Sequence, residues 1–399
     1  MIKSIVLKNF FSFRDVTIEL KQLNVLVGIN GVGKSNFIKS LRLLRATIID
    51  GSLTDLIMNQ WGGFDAMCFA GGNNAGTSPV IELEYQFDFE TLHKYGYSFQ
   101  EPIYYKIAFK KVASTQNYSL SEMLYTKSSN GGCAYWYFKM KDGKGYAREG
   151  RKTEQHSVNY QLDNTTESLF GQVMDKDRYF QIYTLREAIK DISVYGYFDT
   201  TAQSSIRKPM LPIAAIRLAF DGGNLPQILN RIKITSKKNY NSIIKSLCSI
   251  NPNYRDIDFN IIGNNIELML DEKGLDRSVH VTHISDGTLR YLCLLSIICN
   301  SQRGALVCID EPEMGLHPDM INEIVENIQD AALGTQFIIS THSEHVLNNV
   351  SVDNVLVCEK DEDNSTFINT FRDAEFVEWA SKYTTGNLWR NGDLGGNVY

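Results

Sequence analysis

Residues 28–35 read GINGVGKS, and this run constrains the fold of the chain more than any other feature. It matches the pattern G-x-x-x-x-G-K-[ST], whose glycines let backbone N–H groups converge on phosphate oxygens. The apolar run 23–27 before it predicts a buried strand, and the apolar spacing over 36–49 predicts an amphipathic helix. The motif requires this strand–loop–helix context, because a helix N-terminus stabilises negative charge. We therefore predict a phosphate-binding loop.

Lys34 and Ser35 have the most specific predicted roles in this loop. The Lys34 ammonium would reach the β- and γ-phosphates of a nucleotide, and the Ser35 hydroxyl would bind Mg²⁺. The predicted nucleotide-binding residues of the loop are Gly28, Asn30, Gly31, Gly33, Lys34, Ser35 and Asn36.

Composition excludes several classes of protein. Of the 399 residues, 43% are hydrophobic, and 20 Phe and 20 Tyr supply enough apolar volume for two or three packed domains. No apolar run reaches the ~18 residues of a membrane span, and the lysines within the first eight residues do not fit a signal peptide. We therefore expect a cytoplasmic protein. The net charge of −6 gives no global support for nucleic-acid binding.

Cysteines and scattered basic residues have simple interpretations. The seven cysteines form no C-x-x-C pair, which argues against a zinc ribbon or a disulfide framework and favours reduced core thiols. The basic residues Arg207, Lys208 and Arg217 are scattered, and we interpret them as a solvated face.

Hydrophobic periodicity organises the rest of the chain. Alternation over 80–160, with a hairpin signal at 141–144, predicts an antiparallel meander. After residue 286, helices and strands alternate, which is typical of a parallel α/β layer. We predict helices over 185–192, 210–220 and 225–247, a hairpin over 257–270, and an irregular tail over 384–399.

These patterns predict three regions. They are an N-terminal lobe with the phosphate loop and the meander (1–165), an inserted helical lobe (166–285) and a C-terminal core (286–399).

A second motif supplies carboxylates. Residues 305–313 read ALVCIDEPE, an apolar strand that delivers two adjacent carboxylates at its C-terminal end. Asp310 can hold Mg²⁺ through water, and Glu311 can polarise an attacking water.

A third and a fourth motif flank the acidic strand. His342 follows the apolar run 337–339, and neighbouring parallel strands would bring it beside Asp310 and Glu311, where it can hydrogen-bond a γ-phosphate or a water. Ser285 and Gly287, within the run ISDGT, begin a predicted helix and form a small anion nest.

These four elements, in this order, resemble an ATP-binding-cassette ATPase. In that superfamily the signature motif would correspond to residues 284–288, and the dimer-contact loop to residues 314–318, MGLHP. The opening run 5–14, IVLKNFFSFR, resembles the non-transporter branch that includes SMC and RecF proteins and the OLD nucleases. Runs over 310–318 and 340–343 look like the AAA-type, RecF-like ATPases of bacterial defence loci. Runs at 221–226 and 392–397 look similar to the same group.

The resemblance implies both a fold and a mechanism. The implied fold is α/β, an ABC-ATPase head whose P-loop core sheet carries an antiparallel β subdomain and an inserted helical lobe. Two copies would sandwich two molecules of ATP with Mg²⁺, and Ser285 and Gly287 of one copy would contact the γ-phosphate held by Lys34 of the other. Hydrolysis through Glu311 would release this dimer.

The glutamine that the family places near Mg²⁺ and the signature motif match the family pattern less closely than the other motifs do. In the family a glutamine between the β-rich and helical lobes contacts Mg²⁺ and water; Gln172 is our candidate, Gln60 is the alternative, and either could be a surface glutamine. Asp286 and Thr288 replace the glycine and glutamine of the usual signature, which favours the RecF-like branch over transporters.

Two function hypotheses remain. In the first, the protein is an ATP-driven switch that controls a separate effector, because the sequence has a complete nucleotide site and no visible second catalytic centre. The resemblance implies that this effector is a TOPRIM-type nuclease of an anti-phage system, and the chain ends too soon after His342 for a fused TOPRIM domain. In the second, it is a RecF-like ATPase that acts directly on DNA. A transporter ATPase subunit fits less well than either.

Overall fold

The computed structural model describes most of the chain, which divides into two compact units. The described residues are 1–49, 51–71, 79–113, 115–128, 131–150, 156–173, 175–211 and 213–396. The first unit comprises Met1–Ile192, Leu356–Thr370 and Gly395–Tyr399, and the second comprises Ser193–Val355 and Phe371–Leu394.

An antiparallel sheet of eight strands dominates the first unit, in the order β2-β1-β4-β5-β6-β7-β8-β9. The strands of this unit up to β9 are β1 (Ile2–Phe10), β2 (Phe13–Glu19), β3 (Leu23–Val27, outside this sheet), β4 (Val80–Phe87), β5 (Ile103–Lys111), β6 (Tyr118–Lys127), β7 (Cys133–Lys141), β8 (Lys144–Glu149) and β9 (His156–Gln161). Strands β4 to β9 pair consecutively, which confirms the predicted meander. Asp142 and Gly143 both have positive φ at the predicted hairpin.

The phosphate-loop strand β3 belongs to a second sheet. All five of its residues are buried, and it is followed by the loop and by helix α1 (Lys34–Ala46), as predicted. In this sheet β3 is followed by β16 (Val355–Lys360) and then by β17 (Thr366–Thr370). The fully buried Tyr85 of β4 donates a hydrogen bond to the Ser40 carbonyl, so α1 packs against the meander sheet.

The other helical segments of the first unit are short. They are α2 (Ser52–Thr54), a π-helical turn (Asp55–Gln60), α3 (Phe64–Met67), α4 (Phe89–Leu92), a 3₁₀ turn (His93–Tyr95), α5 (Leu169–Gln172) and α6 (Phe180–Lys190).

The second unit contains the predicted alternation of helices and parallel strands. Its strands are β10 (Ile192–Tyr195), β11 (Tyr254–Ile262), β12 (Asn265–Glu272), β13 (Val279–His280), β14 (Leu306–Asp310) and β15 (Gln336–Thr341). Its α-helices are α7 (Leu225–Thr235), α8 (Lys237–Ile250), α9 (Asp286–Ile298), α10 (Pro318–Ala332), α11 (Glu344–Asn348), α12 (Ala374–Ala380) and α13 (Thr385–Asn391). Three 3₁₀ turns lie at Ser205–Arg207, Val281–His283 and Val352–Asn354.

Strands β10, β14 and β15 are neighbours in that order, and β14 and β15 run parallel with Asp310 opposite Ser340. Strands β11, β12 and β13 form a separate antiparallel sheet that contains the predicted hairpin. Because β14 and β15 are parallel, their carboxyl ends lie at the same edge of the sheet.

Three local predictions were wrong. Residues 210–220 form no helix where they are described; instead, side chains bond their carbonyls, as Asn224 does at Arg217 and Asn300 at Ile216. The segment 225–247 is two helices rather than one, because the Ser236 hydroxyl accepts a bond from an N–H in the first turn of α8. The tail is helical over α13, while residues 397–399, which include the end of the predicted 392–397 run, lie outside the described residues.

Helix lengths also bear on membrane association. Among the helices in the described part of the chain, none is both long and apolar enough to cross a membrane.

Candidate active site

The phosphate loop in the first unit has backbone torsions that explain its glycines. Gly28, Gly31 and Gly33 all have positive φ, and Gly33 precedes the first residue of α1. A Cβ atom at Gly28 would lie 2.6 Å from the Cys358 carbonyl oxygen, and one at Gly33 would lie 2.5 Å from Thr366 Oγ1. Two of the glycines are therefore required by close packing as well as by backbone conformation.

Lys34 and Ser35 begin helix α1. The buried Lys34 side chain donates from Nζ to the carbonyl oxygens of Gly28 (2.6 Å) and Ile29 (3.1 Å), which places its ammonium across the loop. Ser35 is exposed at the helix N-terminus, where its hydroxyl is the kind of oxygen ligand that Mg²⁺ prefers. Asn30 is also exposed, and Asn36 donates to Ser12 Oγ over 3.0 Å.

Residues far away in sequence support this loop. Thr366 Oγ1, on β17, donates to the Val32 carbonyl oxygen over 2.6 Å and lies 2.8 Å from Ser12 Oγ. The Ile29 N–H donates to the Gly396 carbonyl oxygen over 3.2 Å. Sequence reasoning missed the supporting roles of Ser12, Thr366 and Gly396, because the loop motif contains no signal for partners outside the motif, two of which lie more than 300 positions away.

Asp310 and Glu311 lie at the end of β14 in the second unit. The Ser340 hydroxyl of β15 donates to Asp310 Oδ1. Glu311 has φ of +48°, and its N–H donates to both the carbonyl and the hydroxyl oxygen of Ser340, each over 3.1 Å. A positive φ outside glycine costs energy and persists where neighbouring bonds hold it. Ser340 therefore bonds the carboxylate of Asp310 and the backbone of Glu311.

His342 lies beside Glu311, as the parallel pairing predicts. Its Nδ1 atom is 3.4 Å from Glu311 Oε1, and its side chain is 47% exposed, so the ring is open to a ligand. A third carboxylate that we did not predict, Glu313, approaches the same ring at 3.7 Å. The arrangement can polarise a water molecule and contact an anionic group at one place.

Ser285 and Gly287 occupy the first turn of α9. Ser285 Oγ accepts a hydrogen bond from the Thr288 N–H over 3.1 Å, so Ser285 is the N-cap, and Gly287 lies in the first turn. A Cβ atom at Gly287 would be 3.2 Å from the carbonyl oxygen of Gly315. The signature run and the run 314–318 are therefore packed together.

The Arg207 side chain contacts the signature run, residues 284–288. Its guanidinium donates to the carbonyls of Val281 and Ile284 and forms an ion pair with Asp286 at 2.7 Å. With a side chain only 8% exposed, Arg207 is not part of a solvated face, and that interpretation was wrong.

A family model for the AAA ATPase domain matches residues 1–347 of this chain. The chain belongs to the AAA ATPase domain family. This AAA ATPase therefore binds and hydrolyses ATP, as the phosphate loop predicts.

Solved structures identify the fold of this AAA ATPase more closely. It is similar to an Smc head bound to the C-winged helix domain of ScpA, with a TM-score of 0.59 and 14% identity over 93% of this chain and 98% of that chain. It is also similar to the Smc head domain with an extended coiled coil, bound to the C-terminal domain of ScpA, derived from Pyrococcus furiosus. The TM-score there is 0.57, with 12% identity over 96% and 98% of the two chains. The predicted ABC-type head fold is confirmed.

The predicted site residues of this AAA ATPase fall into two groups, one in each unit. The loop residues and Gln172 lie in the first unit, whereas Ser285, Gly287, Asp310, Glu311 and His342 lie in the second. Within the second unit, the structure brings His342 and Glu311 together, and it pairs Gly287 with Gly315. The roles of both groups in the ATPase reaction stay predictions.

Both candidate glutamines of the AAA ATPase make local hydrogen bonds. Gln172 Nε2 donates to the Asn164 carbonyl oxygen (2.9 Å), and its Oε1 accepts from the Asn164 N–H (3.1 Å). Gln60 Nε2 donates to Asp55 over 2.9 Å. In this conformation each amide stabilises its own segment, and the assignment of either to Mg²⁺ stays a prediction.

Proposed function

We propose that this AAA ATPase is a cytoplasmic switch in which ATP joins two copies and hydrolysis separates them, and that the cycle controls a separate effector. The observation that carries the proposal is the 3.4 Å approach of His342 to Glu311 in the second unit. The capped, tightly packed signature turn at Ser285 and Gly287 supports a second, trans contact to nucleotide.

The proposed reaction is attack of water on the γ-phosphorus. The new bond forms between the water oxygen and phosphorus, the bond from phosphorus to the β–γ bridging oxygen breaks, and ADP leaves with that oxygen. Glu311 accepts the proton of the water, and His342 orients the water or the γ-phosphate. Lys34 offsets the charge that develops on the phosphate oxygens.

Mg²⁺ fits the oxygen donors present in each unit. Ser35 offers an exposed hydroxyl and Asp310 a carboxylate at a strand end, and these two residues would hold the ion. When bound, Mg²⁺ neutralises charge on the β- and γ-phosphates. We further propose that Gln172 joins this group once its bonds to Asn164 open.

ATP turnover by the variant Glu311→Gln tests the catalytic assignment. We expect turnover at least ~100-fold below the wild type, because a general base contributes about 10²–10⁴ in rate. Light scattering should show a larger particle for Glu311→Gln with ATP. The exposed Glu326 of α10 provides the control Glu326→Gln, which should turn over ATP like the wild type. Equal turnover by Glu311→Gln and wild type would refute the role of Glu311.

We propose that the effector is a TOPRIM-type nuclease of an anti-phage system, in line with the motif resemblance of residues 310–318 and 340–343. Purification of the native complex followed by mass spectrometry tests this. A co-purifying nuclease would support the switch, and DNA without a protein partner would contradict it.

A RecF-like role on DNA is the second candidate, and one surface feature favours it. Four lysines line a cavity of about 380 Å³ on the meander sheet: Lys106, Lys110, Lys139 and Lys141. Nucleic-acid binding through such residues weakens steeply with salt. DNA-stimulated ATP turnover that falls with salt, and falls further in Lys139→Gln/Lys141→Gln, would support this candidate.

A further inference from the structure

Glu313 is a buried carboxylate with an incomplete set of partners. Its side chain is only 6% exposed, and burial raises its pKa above the ordinary value for glutamate. Oε2 is buried and has no hydrogen-bond partner among the described residues. An unpartnered oxygen on a buried acid is costly, so a neutral apolar residue would serve packing better.

The other oxygen of Glu313, Oε1, accepts two hydrogen bonds from the strand end that leads to His342. Oε1 accepts from Thr341 Oγ1 over 2.6 Å and from the His342 N–H over 3.1 Å. The same oxygen lies 3.7 Å from His342 Nδ1. Glu313 Oε1 therefore lies close to both the backbone N–H and the imidazole ring of His342.

The backbone of Glu313 belongs to the turn that follows Glu311. The Met314 N–H donates to the Glu311 carbonyl oxygen over 3.1 Å, and the Leu316 N–H donates to the Glu313 carbonyl oxygen over 3.0 Å. The Glu313 side chain therefore links the turn that follows Glu311 to the Thr341–His342 segment.

We propose that Glu313 is a positioning residue, which fixes the distance between Glu311 and the His342 imidazole by holding the Thr341–His342 backbone. The proposal rests on the proposed roles of Glu311 and His342. Glu313 itself does not touch nucleotide; it sets where His342 stands when water is attacked. Positioning errors of about 1 Å can cost ~100-fold in rate.

A double-mutant cycle on the full chain tests this. In the wild-type background, Glu313→Ala should lower kcat for ATP hydrolysis about tenfold and change KM less than about twofold, because the phosphate loop is untouched. In a His342→Ala background, the same substitution should lower kcat less than about twofold, since the group it positions is gone.

Two threonine variants keep the proposal testable if the Glu313→Ala variant does not fold. Thr341→Val removes the hydroxyl that donates to Glu313 and should lower kcat about threefold. Thr335→Val, just before the same strand, removes a hydroxyl that donates to the Gly304 carbonyl oxygen; it should lower the unfolding temperature and leave kcat unchanged.

The outcomes separate failure of this inference from failure of the proposed function. If His342→Ala lowers kcat but Glu313→Ala does not, or lowers kcat equally in both backgrounds, the positioning role is refuted and the role of His342 stands. If His342→Ala leaves kcat at the wild-type value, both are refuted together.

Discussion

The guanidinium of Arg207 lies 2.7 Å from the carboxylate of Asp286, although 79 positions separate the two residues. The two ends of this pair differ in environment, because the Arg207 side chain is 8% exposed and that of Asp286 is 58% exposed. Removal of the buried partner should therefore cost more than removal of the exposed one.

We expect Arg207→Ala to lower the free energy of unfolding by about 3 kcal/mol, since it leaves the carbonyls of Val281 and Ile284 without their charged donor. Asp286→Asn should cost less than about 1 kcal/mol. Urea unfolding of the two variants measures the difference. Equal midpoints would show that the buried bonds of Arg207 do not stabilise the signature run.

A pair of alanine substitutions in the phosphate loop separates backbone strain from steric collision. Both Gly31 and Gly33 have positive φ, but a Cβ atom at Gly31 meets nothing within 4 Å, while one at Gly33 meets Thr366 Oγ1 and Ser12 Oγ at 2.5 and 2.6 Å. Gly31→Ala should weaken ATP binding by up to about tenfold, the cost of a left-handed alanine. Gly33→Ala should weaken it well beyond that. Titration with a fluorescent ATP analogue gives both dissociation constants, and equal values would contradict the packing account.

The hydroxyl of Thr366 should affect nucleotide affinity from outside the loop. Thr366→Val leaves the Val32 carbonyl oxygen without its 2.6 Å donor, a loss of about 1–3 kcal/mol at a buried group. We expect a KM for ATP several-fold above the wild-type value. The exposed Thr370, at the end of the same strand, supplies the control Thr370→Val, whose KM should be unchanged. A wild-type KM for Thr366→Val would mean that the loop keeps its shape without this bond.

Thiol alkylation should distinguish the cysteines by burial. Burial raises the pKa of the Cys358 thiol to about 12 and that of Cys299 to about 11, whereas Cys133 is exposed. A raised pKa means that the neutral thiol persists at pH 8, where Cys358 would be thiolate in only about one molecule in 10,000. Iodoacetamide at pH 8 should modify Cys133 and spare Cys358 until urea is added, as peptide mass spectrometry would show. Equal labelling of both in the native state would be the contrary result.

Local patterns in the sequence predicted those elements whose structure is decided locally. The meander follows from alternation in each strand, and the hairpin at Asp142 follows from its turn residues. The run 210–220 has apolar residues that are not buried on a helix face: Leu211 is 63% exposed and Phe220 is 62% exposed. Periodicity alone cannot detect this, because exposure depends on what the rest of the chain covers.

In the candidate site, too, the sequence predicts residues within one motif but not contacts between distant segments. The phosphate loop and the carboxylates at Asp310 and Glu311 lie in contiguous motifs. Glu313 lies in the same motif as Glu311, yet its role depends on Thr341, which is 28 positions away and meets it only through strand pairing. Arg207 carries no motif at all, and its bonds to the signature run appear only once the chain has folded.

The bond between Thr366 and Val32 spans 334 positions, and this distance has a consequence during synthesis. A ribosome that adds roughly 5–20 residues per second needs about twenty seconds to a minute to pass from Val32 to Thr366. Until then the nascent chain has its loop sequence but lacks the strand that supports it. An emerging polypeptide would therefore gain its full nucleotide affinity late, and a product of translation that stops before Thr366 would bind ATP more weakly than finished molecules do.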